Sequence, residues 1–145
     1  LYNLAKRRFT YISPSVERIR GFTVEEAMKQ SLDGLLTPES YRKIKEILPK
    51  WLESFSSGAQ SKEVARTRHF ELTQPHKNGS TIQTEAVVTL ITDAQGRITH
   101  LQGISRDITK RKQAENELRK FQLAVEQSPV STVITNLHGD IEYGN

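Results

Sequence analysis

Apolar and polar positions follow two different periods along this chain, and the places where the period changes mark its elements. Residues 7–13, RRFTYIS, set Phe9 and Tyr11 against Thr10 and Ile12 and are rich in β-formers, which predicts a strand. Ser13-Pro14 then has the grammar of a helix start, with serine as N-cap and proline first, and Gly21 stops that helix within two turns. Thr23-Val24-Glu25-Glu26 reads as a capping box opening a second short helix. Thr37-Pro38 opens the longest helix, over 38–55, where Tyr41, Ile44, Leu48, Trp51 and Phe55 form one stripe at spacings of three and four. Pro49 inside it is expected to remove a backbone hydrogen bond and bend the axis. Ser56-Ser57-Gly58 ends it.

Period two then takes over. Strands are predicted over 64–72, 81–92 and 97–106, joined by Lys77-Asn78-Gly79-Ser80, whose Asn-Gly pair favours a tight turn with positive φ, and by Asp93-Ala94-Gln95-Gly96. In the middle strand Ile82, Thr84, Ala86, Val88 and Leu90 share one face, while Gln83 and Glu85 begin the wetter one. A strand, short helices, one longer helix and three consecutive antiparallel strands make an α+β domain with helices on one face of the sheet. From residue 108 the pattern is helical again but sparse: Ala114, Leu118, Phe121 and Val125 make a narrow seam in a four-three-four spacing. Such a seam buries little within one chain, so a second helix is its natural partner. Residues 92–98, TDAQGRI, and 135–141, TNLHGDI, share a T-[D/N]-x-x-G-x-I grammar, which marks the tail as the start of a second, similar hairpin.

Composition narrows the function classes. The 145 residues carry a formal charge of +4, with 16 basic and 12 acidic residues up to Asp107 and 5 of each beyond it. The lysine-rich helix is thus balanced by its own acids, and the basic residues elsewhere are dispersed without interleaved aromatics, which argues against nucleic acid as a partner. No stretch is apolar enough for a membrane span. The absence of cysteine removes disulfides, thiolate metal sites and a cysteine nucleophile, and a reducing cytoplasm is the simpler reading. The chain starts at Leu1 and stops in a strand-like run, so it reads as an excerpt of a longer protein.

Catalytic chemistry finds little footing. His69, His76, His100 and His138 lack metal-ligand spacing, and no phosphate loop, H-E-x-x-H or G-x-S-x-G occurs. Glu25-Glu26 point different ways on a helix and are read as first-turn acids that complement its dipole. Trp51 and Phe55 are read as core.

Three strings together carry a resemblance: RFTYISPSVERIRGFTVEEA over 8–27, HKNGS over 76–80, and DAQGRITHLQGISRDITKRKQAE over 93–115. They resemble a PAS domain with its C-terminal PAC portion, and Asp107-Ile108-Thr109 resembles that family's exit motif into a signalling helix. The resemblance implies a PAS-like five-stranded antiparallel sheet with helices forming a pocket over one face, followed by a C-terminal linker helix. It divides the chain into a sensory domain at 1–107, a linker or coiled-coil signalling helix at 108–127, and the beginning of a second PAS domain at 128–145. It also implies a central first strand beside the last, for which only residues 1–4 can stand in. With strand parity, it puts Thr84, Ala86, Val88, Leu101 and Ser105 on the pocket side, opposite Leu48, Trp51 and Phe55. A flavin sensor with a cysteine adduct and a thiol-linked chromophore are excluded for want of cysteine; Ser105 stands where such flavin sensors place a glutamine. Haem is disfavoured because residues 38–55 contain no histidine. Non-covalent flavin, a small metabolite or no ligand at all stay open. The implied function is a non-enzymatic sensory and dimerisation module of a bacterial signalling protein, of histidine kinase or diguanylate cyclase type, homodimeric through the helix. The rival is a constitutive dimerisation spacer without ligand.

Overall fold

The period-two runs become the three longest strands. In a computed structural model of the chain the described residues are 1–57, 66–127 and 133–144. They include strands β1 (Tyr2–Asn3) and β2 (Arg8–Phe9), helices α1 (Ser15–Arg20), α2 (Val24–Met28), α3 (Leu32–Leu35) and α4 (Pro38–Ser56), and strands β3 (Thr67–Pro75), β4 (Thr81–Thr92) and β5 (Ile98–Asp107). Helix α5 (Thr109–Glu126) and the hairpin β6 (Val133–Thr135) and β7 (Ile141–Gly144) follow. Two compact units result, Leu1–Thr109 and Lys110–Asn145.

The first unit holds a five-stranded antiparallel sheet in the order β2-β1-β5-β4-β3. The central slot is filled by Tyr2 and Asn3, paired with Leu101 and His100 on one side and with Phe9 and Arg8 on the other. The strand expected over 7–13 is correspondingly only two residues long, because β1 offers it only Tyr2 and Asn3 as ladder partners. From Gln102 onward β5 pairs with β4 alone, and residues 102–107 are exposed. The strand expected over 64–72 is described from Thr67 and runs on to Pro75; Val64 and the helix-ending Gly58 lie outside the described residues, as do Ser128 and Pro129.

The helix starts differ in detail from their sequence signals. α1 is counted from Ser15 with Pro14 as N-cap, and Ser13 accepts from the helix start twice, its Oγ from the Ser15 amide at 3.4 Å and its carbonyl from the Val16 amide at 3.0 Å. Gly21 ends it in the left-handed conformation, φ 74°, and a Cβ there would meet His76 Cε1 at 2.9 Å, so two constraints select glycine. The capping box of α2 closes in both directions, Glu26 N donating to Thr23 Oγ1 (3.2 Å) and Thr23 N to Glu26 Oε2 (2.9 Å). The short α3 had no sequence signal of its own. α4 continues through Pro49, which sits on its exposed side.

The core forms where the stripe of α4 meets the sheet. Leu36, Leu72 and Ala86 cluster with Tyr41 and Ile44 at one end, and Trp51, Leu90 and Leu101 with Leu48 and Phe55 at the other. Phe70 touches both clusters and meets the Trp51 ring at 6.2 Å.

Three turns share one construction. Residues 76–80, 93–97 and 136–140 are each closed by an amide of the first residue donating to the fifth carbonyl, at 2.9 Å, and a glycine amide donating back to the first, at 3.0 Å. The first side chain accepts from the third amide: His76 Nδ1 from Asn78, Asp93 Oδ1 from Gln95, Asn136 Oδ1 from His138. Within these turns only Gly79, Gly96 and Gly139 take positive φ, 87°, 79° and 88°, so Asn78 does not share the left-handed region that its Asn-Gly pair favours.

Candidate functional site

A cavity of about 570 Å³ lies between α1, α3, α4 and the helix-covered face of the sheet. Of the residues expected on its wall, Leu48, Trp51, Ala86, Val88, Leu101 and Ser105 line it. Phe55 and Thr84 do not. Phe55 sits one turn beyond Trp51, where it packs on the Leu90 and Leu101 cluster. Thr84 is completely buried with its hydroxyl donating to the Leu72 carbonyl, 3.0 Å, so its parity was right for the face but not for the depth. The pairs Ala86–Ser105 and Val88–Gly103 put small residues side by side on the floor, which leaves the space.

The wall also contains residues that the sequence did not place there. Phe9, Tyr11, Ile12, Val16 and Ile19 close it from the N-terminal side, and Arg20 and Gln74 bring polar groups into it. Arg20 is 2% exposed and Gln74 4%. The Arg20 Nε donates to the Pro75 carbonyl at 3.2 Å, and its guanidinium lies 5.0 Å from the centre of the Phe22 ring. Burial lowers its pKa to about 10, which leaves it protonated at neutral pH. A signal for it existed: Arg20 is four residues beyond the buried Val16, on the same face of α1.

The floor of the cavity leads directly to the Asp107-Ile108-Thr109 junction. The Ile108 amide donates to the Gln83 carbonyl (2.8 Å) and the Gln83 amide to Thr109 Oγ1 (3.0 Å), so one residue of β4 holds the chain on both sides of the turn. Asp107 Oδ1 accepts from the Thr109 amide (2.8 Å), which caps the start of α5, and Ile108 is 4% exposed. His100 is engaged elsewhere, its Nε2 3.0 Å from Asn3 Nδ2 and its Nδ1 3.0 Å from Thr99 Oγ1.

Helix α5 presents its seam outward. Leu118 and Phe121 are each 60% exposed, Ala114 is exposed and Val125 half-buried. Ion pairs from Glu115 to Arg111 and Lys112 run along the same helix. Among the described residues no group of three or more His, Cys, Asp or Glu could hold a metal, and no helix is long and apolar enough to cross a membrane.

Comparison with known proteins agrees with this architecture. The PAS fold family matches residues 3–108, and the chain belongs to that family. It is 29% identical over 117 residues to the sensor histidine kinase TmoS of Ectopseudomonas mendocina, a match covering 81% of this chain and 11% of the length of that relative. Among solved structures, a sensory box histidine kinase/response regulator from Burkholderia thailandensis has a TM-score of 0.62 at 16% identity, covering 88% of each chain. The N-terminal domain of a diguanylate cyclase with a PAS/PAC sensor from Marinobacter aquaeolei has a TM-score of 0.58 at 19% identity, covering 77% of this chain and 94% of that one. At those identities the two structures show a common fold.

Proposed function

We propose that this chain is the sensory and dimerisation module of a multidomain bacterial signalling protein, of histidine kinase or diguanylate cyclase type, working in the cytoplasm. The observation that carries the reading is the continuity between cavity and exit helix. Ala86 and Ser105 form the cavity floor as a strand pair, and two pairs further along, Thr84–Asp107 brings the chain to the Gln83 clamp. A ligand that changed the spacing of β4 and β5 would therefore change how Gln83 holds Ile108 and Thr109. The start of α5 would shift between two arrangements, and the shift would pass to an output domain beyond this chain.

The seam of Ala114, Leu118, Phe121 and Val125 is assigned to a second copy of this helix, forming a parallel pair. The reaction catalysed by the whole protein belongs to that output domain, and this module catalyses nothing. The hairpin of β6 and β7, whose turn repeats the one between β4 and β5, is assigned to the opening of a second PAS domain. The occupant is a small molecule held without a covalent bond, non-covalent flavin or a metabolite. Native mass spectrometry of the chain before and after heat extraction tests the reading. A stoichiometric released molecule is the expected result; a dimer that releases nothing and binds nothing would instead establish the constitutive spacer.

A further inference from the structure

The buried part of the cavity wall is apolar except at Arg20 and Gln74. Among the described residues four polar side chains are buried: Arg20, Ser40, Gln74 and Thr84. Ser40 and Thr84 are used by the backbone, Ser40 Oγ accepting from the Thr73 amide at 2.8 Å and Thr84 donating to Leu72. Arg20 is different. Its Nη1 and Nη2 are buried and no protein atom partners them. Among the described residues Arg20 also supplies the only charged side chain on the cavity wall, and no carboxylate lines it. Gln30 Oε1 is likewise unpartnered, but Gln30 is not part of the wall.

A protonated guanidinium buried without a counter-ion is costly, and the cost falls away when an anion is paired with it. Its Nε donates to the Pro75 carbonyl and its guanidinium carbon lies 5.0 Å from the centre of the Phe22 ring, which leaves the edge carrying Nη1 and Nη2 without hydrogen-bond partners; both nitrogens are covered by protein, so a ligand reaches them by displacing the side chain. Two parallel N–H groups at that edge match the two oxygens of a carboxylate. The other buried residues of the wall, Leu36, Trp51, Leu72, Ala86 and Leu101 among them, offer hydrocarbon and ring surface, and the further polar side chains on it, Ser13, Ser15, Gln102 and Ser105, are exposed to solvent. We infer that the cavity takes a small organic acid with an apolar body, its carboxylate paired end-on with Nη1 and Nη2 of Arg20. Gln74, on the same wall, is placed to add an amide contact at the polar end. The cavity volume falls within the roughly 300–1,000 Å³ usual for such sites.

This inference rests on the ligand-sensing reading above, and the test separates the two. The whole chain is titrated calorimetrically with butyrate, hexanoate, benzoate and phenylacetate, and in parallel with the four corresponding primary amides, up to about 5 mM. At least one acid is expected to bind at least about tenfold more tightly than its own amide. Arg20→Met should remove that preference while leaving amide binding unchanged, and Arg20→Lys should recover only part of it. If Arg20→Met does not fold, as judged by the fluorescence of Trp51, the acid-to-amide ratio in the unaltered chain decides alone. Amides binding as tightly as acids would overturn the carboxylate inference and leave a ligand pocket standing. No binding by any of the eight would likewise overturn the carboxylate inference, and the ligand-sensing reading would then stand or fall on the heat extract.

Discussion

Replacing Thr109 by valine keeps the shape of the side chain and removes the oxygen that accepts the Gln83 amide at 3.0 Å. Gln83 is half-buried, so its donor is partly cut off from water, and leaving it unpaired should cost about 1 kcal/mol, the low end of the range for a buried unsatisfied group. Asp107→Ala removes the cap on the Thr109 amide and should cost about 1 kcal/mol by itself. Both bonds fix the same residue, so the losses should not add. A coupling of about 0.5 kcal/mol or more is expected in the double variant. Asp107→Asn should restore most of the cap, since asparagine accepts in the same geometry. Urea unfolding read by Trp51, the single tryptophan and 1% exposed, reports on the first unit directly. Hydrogen exchange at the Gln83 amide should accelerate in Thr109→Val. Unchanged stability in Thr109→Val, or losses that add fully, would refute the clamp.

Other outcomes follow from single features. Gly21→Ala should destabilise the first unit by about 1–2 kcal/mol in the same urea assay, because alanine must adopt φ 74° and crowd His76. The hydrogen bond and ion pair from Lys77, at 2.7 Å, hold the Glu26 carboxyl below its usual value of 4.5. Its contribution to stability is therefore present above pH 4.5 and is lost as the pH falls through the lower folded value. Lys77→Met should flatten that acid-side decline in a series of urea midpoints. Leu118→Glu should weaken self-association, read by sedimentation velocity, with the first unit still folded.

The elements with one dominant pattern were legible in the sequence, and those decided by their neighbours were not. β4 runs over Thr81–Thr92 as its alternation predicts, because its inward positions are apolar or small and its two partners are both long. The capping box at Thr23 and Glu26 is a local reciprocal motif, and it formed as read. β2 failed to reach Ser13 because strand length is set by the partner, and its partner contributes two residues. In the cavity, strand parity together with the family resemblance located Ala86, Val88, Leu101 and Ser105, yet gave Thr84 the same standing although it lies sealed beyond the cavity. Arg20 was overlooked because an arginine in the last turn of a helix normally complements the dipole from solvent. Its spacing from Val16 carried the contrary information. The Gln83 end of the clamp left no sequence trace, since both bonds use backbone groups of Gln83 that no residue type encodes.

The claim at the centre of this account is that the cavity and the start of α5 are coupled through Gln83. Hydrogen exchange across residues 83–112 tests it, comparing the chain stripped by denaturing purification and refolding with the same chain reloaded from its heat extract. The account predicts a change in protection at the Gln83 and Ile108 amides and in the first turn of α5, together with the residues around Ala86 and Ser105. A ligand that protects the cavity floor and leaves the junction and α5 unaltered would contradict it.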